Sequence, residues 1–292
     1  MNSKTIQMGE VKVGAGFPVF MVAEIGINHN GDIQAAKKLI DAAFACNWHC
    51  VKFQKRYPDV CVPEHQKNQL RDTPWGKITY LEYRYKVEFC EPEYQQIDAY
   101  CKEKPIAWTA SVWDVPSLKF ILGYDVPFIK IPSAKIVDHE LLKQAADSGK
   151  PVVLSTGMSE LSEIDAAVAL MERHCPDNFV LMHTNSVYPT PTEDLNLNMI
   201  NTLQKRYSCI VGYSGHEYDL EPSVIAASLG AAIIERHVTL DHNEWGSDHF
   251  ASLEVNAMDM LCKRIKNIHA MLGDGIKRIS RDEQEVMKKL RG

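Results

Sequence analysis

Two histidines, His216 and His237, each close a short apolar run, CIVGYSGH and AIIERH. If both runs are strands, Gly212, Ser214 and His216 share one parity, and Glu235 shares a parity with His237, because strand side chains alternate faces. Two imidazoles at the C-terminal ends of neighbouring parallel strands can grip one divalent cation and leave coordination positions open for substrate. Two hydrogen-bonded core histidines are the plain alternative. Polar residues recur at other strand ends: Glu24 in phase with Val22, Lys52 with Gln54, then Ser111, Lys130 followed closely by Ser133, Ser155, Asn185 with Ser186, and Ser214. A ring of buried ion pairs holding a sheet in register would be the structural reading. Such pairs are generally neutral or costly to stability and are tolerated where function needs them. Two lysines and several hydroxyls on one face make a pocket for a phosphate and a carboxylate. A cation, a phosphate site and one carboxylate together point to carbon–carbon chemistry on a phosphorylated enol.

Positioning these groups requires a repeated unit, and one is visible. Apolar runs occur at 19–26, 50–55, 106–111, 128–133, 151–156, 179–184, 209–214 and 232–239. Between them lie segments such as DIQAAKKLIDAAFACN and ELSEIDAAVALMERHC, whose apolar residues recur at three and four. Gly149-Lys150-Pro151 ends one helix and opens the next strand, and Ser159 with Glu163 marks a helix start. Eight strand–helix units predict an α/β protein with a (β/α)8 TIM barrel, whose catalytic groups lie at the C-terminal strand ends. A doubly wound open sheet is the rival, but no GxGxxG follows the first strand. The predicted boundaries are an N-terminal hairpin over 1–18, with turn signals at Gly14 and Gly16, a barrel over 19–275, and a charged tail over 276–292. The last barrel helix is expected at about 256–272. Residues 56–91 form a long insertion after the second strand, expected to act as a lid or substrate wall. Its Trp75, Tyr80, Tyr83 and Tyr85 could equally form a subunit contact.

Bulk composition narrows the classes. The 292 residues are 45% hydrophobic and 24% charged, and a net charge of −6 gives no support for nucleic-acid binding. No run of 18 apolar residues exists, and the N-terminus lacks the apolar stretch of a signal peptide, so no membrane role is expected. Eight cysteines without CxxC pairs suit buried thiols in a reducing cytoplasm.

Several blocks, in order, match a known pattern: AEIGINHNG (23–31), KFQK (52–55), KIPSA (130–134), STGM (155–158), YPTP (188–191), GYSGH (212–216), ERHVTLD (235–241) and GSDHFASLE (246–254). Over about residues 17–273 the chain resembles the sialic acid synthase family, and WGKITYLEYRYKVEF (75–89) is similar to its animal branch. The resemblance implies a metal-dependent transferase that condenses phosphoenolpyruvate with an N-acylated amino sugar, N-acetylmannosamine or its 6-phosphate, and releases phosphate. It implies manganese or magnesium held by His216 and His237. Lys52, Lys130, Ser133, Ser155 and Ser214 match phosphoenolpyruvate contacts, with Ser111 where many members carry Thr and Ser186 where some carry Asn. Glu24 matches a carboxylate assigned to proton transfer or to contact with metal-held water, and Gln54, Tyr188 and Asp248 match positions lining the sugar site. A homodimer is implied as well.

Departures from the pattern are local. Many members carry a C-terminal antifreeze-like domain, which is not expected in this chain. Lys135 stands where many have an acid, and Pro132 replaces a usual glycine. These departures keep other acceptors open, such as a diacetamido-trideoxyhexose or a capsule or spore-coat sugar. A barrel serving only as a binding subunit is the alternative from another class. A metal-dependent hydrolase would want an HxH pair on the first strand, which reads AEIG; His29 in the following loop is expected to be a loop or site-lining residue.

Overall fold

The computed structural model describes residues 4–291. Eight parallel strands close into a barrel, and each predicted apolar run supplies one of them. A hairpin comes first, β1 (Thr5–Met8) and β2 (Val11–Gly14), followed by barrel strands β3 (Phe20–Gly26) and β4 (Cys50–Lys55). A second hairpin, β5 (Leu70–Thr73) and β6 (Gly76–Thr79), belongs to the insertion. The barrel resumes with β7 (Ala107–Val112), β8 (Ile129–Ile131), β9 (Val152–Ser155), β10 (Phe179–His183), β11 (Ile210–Gly215) and β12 (Ile233–His237), which pairs back onto β3.

Helices fill the outside for reasons visible in their spacing. In α1 (Ile33–Ala45), Asp32 caps the N-terminus by accepting from the Gln34 N–H at 2.7 Å, and Ala36, Leu39, Ile40 and Ala43 form the buried stripe. The expected start of the helix Leu161–His174 moves by one residue. Glu160 is its cap, and the Glu163 carboxylate accepts from the Glu160 N–H at 2.9 Å.

The barrel interior is divided along its axis. Its lower layers are apolar, with Phe20, Val22, Phe128, Val180 and Ile233 in one cluster, and Ile6, Met8 and Val13 of the first hairpin pack into the same cluster. That hairpin is therefore the floor of the barrel, and Glu24, Lys52, Lys130 and Glu235 lie above it, toward the C-terminal strand ends. Its reversal is at Gly9-Glu10 rather than at Gly14 or Gly16, since Met8 pairs with Val11 and Gly9 takes φ +58°. Residues 1–3 of the expected hairpin lie outside the described residues.

The insertion is ordered by its own local signals. It holds α2 (Pro58–Cys61), α3 (Glu64–Lys67), the β5–β6 hairpin and α4 (Tyr80–Val87), the last closed by a Thr79–Glu82 capping box. It then folds across the mouth. Trp75 and Tyr83 pack edge-on against Trp245, in the loop after β12, with ring centroids 5.9 and 5.3 Å apart. Trp75, Tyr80 and Tyr83 thus make contacts within the chain as part of a wall, while Tyr85 stays exposed. Asn267 breaks the expected last helix into Val255–Lys266 and Ile268–Leu272, and the charged tail carries a further helix, Arg281–Arg291, with no buried residue. Among the described residues, no helix is long and apolar enough to cross a membrane.

Candidate active site

The register of the ladder assembles the site. His237 pairs with Glu24, Glu24 with Lys52, Ser111 with Lys130, and Ser214 with Glu235, so polar groups fall at one height around the barrel. They line a cavity of about 190 Å³. Its wall includes every residue matched to the site by resemblance except one: Glu24, Lys52, Gln54, Ser111, Lys130, Ser133, Ser155, Ser186, Tyr188, Ser214, His216 and His237; the strand-end Asn185 does not line it. Asp248 is the exception. It lies at the rim, its Oδ2 3.9 Å from His237 Nδ1, because the loop after β12 carries it past the strand end.

Glu235 is the residue the sequence reading passed over, although its shared parity with His237 was the available signal. Its carboxylate lies between both lysines, with Oε1 3.4 Å from Lys52 Nζ and 3.3 Å from Lys130 Nζ, and accepts from Ser214 Oγ at 3.0 Å. Lys52 also pairs with Glu24 at 2.7 Å and donates to Ser111 Oγ at 2.8 Å; Lys130 donates to Ser155 Oγ at 2.7 Å.

Burial and charge compete in this network. Burial alone would raise the Glu235 pKa, but Lys130 and Lys52 outweigh it and hold the carboxylate below its ordinary range. Burial also works against charge on Lys52, yet Glu235 and Glu24 raise its pKa overall. On Lys130 burial wins over the pull of Glu235, and its pKa falls to about 8. Glu24, Lys52, Lys130 and Glu235 are two acidic and two basic side chains, so their formal charges sum to zero. A multiply anionic ligand therefore has to meet further positive charge or hydrogen-bond donors.

The two imidazoles lie at the rim, ring centroids 5.5 Å apart. His216 Nδ1 donates to the Asn185 carbonyl at 2.5 Å, which leaves Nε2 as an acceptor for the Tyr188 hydroxyl at 2.8 Å. Burial, then the neighbouring His237, pushes the His216 pKa down to about 3, so the ring is neutral, and a cation at Nε2 would take the lone pair now accepting from the Tyr188 hydroxyl. His237 Nδ1 is buried without a hydrogen-bond partner. His216 Nε2, an acceptor, and His237 Nδ1, without a partner, are donor atoms of the kind that fit a divalent cation. Among the described residues no third His, Cys, Asp or Glu joins them in a group that could hold a metal ion.

Two expectations about loops resolve on geometry. His29 is a core residue: it stacks on Phe89 at 3.8 Å, Nδ1 accepts from the Gly31 N–H, and burial lowers its pKa to about 3. Lys135 turns away from the cavity to pair with Asp138 at 3.3 Å, whereas Pro132, Ser133 and Ala134 line it. Trp113 and Met158, not anticipated from the sequence, complete the wall.

A family model described as NeuB family matches residues 39–277. Among curated proteins, "N-acetylneuraminate-9-phosphate synthase" of Drosophila melanogaster is 39% identical over 277 residues, covering 94% of this chain and 73% of that protein. "N,N'-diacetyllegionaminic acid synthase" of Campylobacter jejuni is 35% identical, covering 91% of this chain and 80% of its own. Among solved structures, the N-acetylneuraminic acid (sialic acid) synthetase of Leptospira borgpetersenii in complex with citrate superposes with a TM-score of 0.87 at 33% identity, over 99% of this chain and 98% of that one.

Proposed function

The chain belongs to the NeuB family, and from that premise we propose that it condenses phosphoenolpyruvate with an N-acylated amino sugar to give a nonulosonic acid and phosphate. The observation that carries this reading is the pair of buried lysines bridged by Glu235 and flanked by Ser111, Ser155 and Ser214, directly beneath the two imidazoles. In the reaction, C3 of phosphoenolpyruvate forms a bond to the aldehyde carbon of the open-chain sugar. Water adds to the cationic C2, and the tetrahedral intermediate loses phosphate by C–O cleavage.

Lys52 and Lys130, fixed by serine hydroxyls before substrate arrives, hold the carboxylate and phosphate while charge reorganises. Glu24 takes the proton of the water that adds to C2, and its position is set by Lys52 and by Gln54, whose Nε2 donates to Glu24 Oε1 at 3.2 Å. Tyr188 and Gln54 place the acceptor sugar against the enol face. His216 and His237 would hold manganese or magnesium, which supplies Lewis-acid polarisation of the aldehyde and the positive charge that the lysine–carboxylate network lacks.

A phosphorylated acceptor is favoured by a second observation. The Arg56 and Arg84 guanidinium groups, both in the insertion and both buried, form no ion pair among the described residues, and Arg56 Nη1 and Arg84 Nη2 have no hydrogen-bond partner there. Arg56 stacks on Trp113 at 4.0 Å and donates to Gln54, two residues of the cavity wall. A phosphate on the far end of the sugar would satisfy Arg56. Mixing phosphoenolpyruvate with N-acetylmannosamine, its 6-phosphate and a diacetamido-trideoxyhexose in turn, and weighing the products, tests the function. Phosphate release with a new carbon–carbon bond on one sugar supports it; no product with any of them counts against it. Arg56→Met is expected to lower kcat/KM for the 6-phosphate by about 10-fold or more beyond its effect on the plain sugar, which reads the loss of Arg56's hold on Gln54.

Two further outcomes arise from the site itself. Lys130 carries its charge only below about pH 8 in the free enzyme. Hence kcat/KM for phosphoenolpyruvate should fall as pH rises through that value, while kcat changes less, because the bound anion lifts the lysine's pKa. A flat kcat/KM profile from about pH 7 to about pH 9.5 would contradict the role given to Lys130. Gly157 donates its N–H to Ser133 Oγ at 3.1 Å, and a methyl group there would collide with the Ser186 and Ser133 hydroxyls. Gly157→Ala should raise KM for phosphoenolpyruvate by about 10-fold, corresponding to roughly 1.4 kcal/mol, with manganese affinity intact.

A further inference from the structure

The β11–β12 ladder ends where Gly215 pairs with Arg236, one residue before His216 and His237. The two imidazoles therefore stand just beyond the last rung, on segments that backbone pairing between these strands no longer holds together. What continues the connection is a side chain. Arg236 is fully buried, on the face of β12 opposite Glu235 and His237. Its guanidinium pairs with the Glu217 carboxylate at 2.9 Å and donates to the backbone carbonyls of Asp219, at 3.0 Å, and of Glu217. Those carbonyls belong to the turn that leaves His216.

Glu217 is held in turn from two more sides. Its Oε2 accepts from the Tyr213 hydroxyl at 2.8 Å, and its Oε1 accepts from Ser223 Oγ at 3.2 Å. Ser223 Oγ also accepts from Arg236 at 3.0 Å, which closes the network. Gly215 leaves room for the carboxylate, since a Cβ there would lie 2.5 Å from Glu217 Oε2. The chain thus carries His-Glu at one strand end and Arg-His at its neighbour. On each, one residue faces the cavity and the adjacent one joins an ion pair behind the sheet.

We propose that the buried Glu217–Arg236 pair is a positioning device that sets the spacing of the two imidazoles and so the affinity for the cation between them. This rests on the reading of His216 and His237 as its ligands. Neither Glu217 nor Arg236 touches substrate or cation. A forked guanidinium is suited to the task because it spans a carboxylate and two carbonyls in one plane, which a lysine ammonium does not. Outer partners of this kind are commonly worth 10- to 100-fold in metal affinity.

The test is manganese binding to the full chain without substrates, followed by the electron paramagnetic resonance signal of free Mn2+, with circular dichroism as the check on folding. Wild type is expected to bind one Mn2+. Glu217→Gln and Arg236→Lys should weaken that binding by about 10-fold or more, and Tyr213→Phe, which removes one hydrogen bond and keeps the ring, by a smaller factor. Folded variants with wild-type manganese affinity would overturn the proposal and leave the pair a packing feature. If Glu217→Gln and Arg236→Lys fail to fold, Tyr213→Phe decides between the same two outcomes. Absence of Mn2+ binding by wild type, with turnover persisting under chelation, would remove the cation reading itself and the proposal with it.

Discussion

His237→Ala is expected to reduce kcat by about 10³- to 10⁴-fold in a protein that still folds. The size follows from the role proposed for a cation held there, whose polarisation of an aldehyde oxygen would be worth several kcal/mol of developing charge. The fold should survive because the imidazole is not a packing group of the apolar interior. It lies on the cavity wall, and its Nδ1 makes no hydrogen bond that would be lost. Turnover with phosphoenolpyruvate and sugar, measured with added Mn2+ and again after chelation, checks this. A near-normal rate from His237→Ala after exhaustive chelation would show that no cation is held there.

The lysine pair supports a sharper, comparative prediction. Lys130→Met should raise KM for phosphoenolpyruvate by about 100-fold or more, because a charge-assisted contact to an anion is lost in a water-poor cavity, while KM for the sugar changes little. Stability should hold up, since Glu235 keeps Lys52 at 3.4 Å. Lys52→Met should lose similar affinity and also destabilise the fold by about 3–5 kcal/mol, because it strips Glu24 of the cation 2.7 Å away and leaves that carboxylate buried unpaired. Denaturant melts beside phosphoenolpyruvate titrations separate the two variants. Equal stabilities, or equal effects on both substrates, would contradict the network described.

Much of this architecture was legible in the chain because two periodicities carry it. Each of the eight apolar runs became a barrel strand, and each polar residue in phase at a run's end rose to the same mouth, since a parallel register aligns the ends. What was not legible depends on contacts distant in sequence. The insertion's aromatics find Trp245 about 160 residues on, and no local pattern announces that partner. The role of Glu235 depends on being reached by Lys52 and Lys130 from two other strands. Asp248 was matched to the sugar site by motif alone, and its place at the rim is set by the loop after β12, which has no periodicity to read. The first hairpin's reversal was misplaced because Gly14 and Gly16 are as turn-prone as Gly9, and only the pairing of Met8 with Val11 selects among them.

The most direct measurement of the central claim is a crystal structure of the chain soaked with phosphoenolpyruvate and Mn2+, with anomalous data collected for manganese. The account predicts an anomalous peak between His216 and His237, with phosphoenolpyruvate beneath it against Lys52 and Lys130. Phosphoenolpyruvate bound elsewhere, or manganese absent from between the two imidazoles, would contradict it.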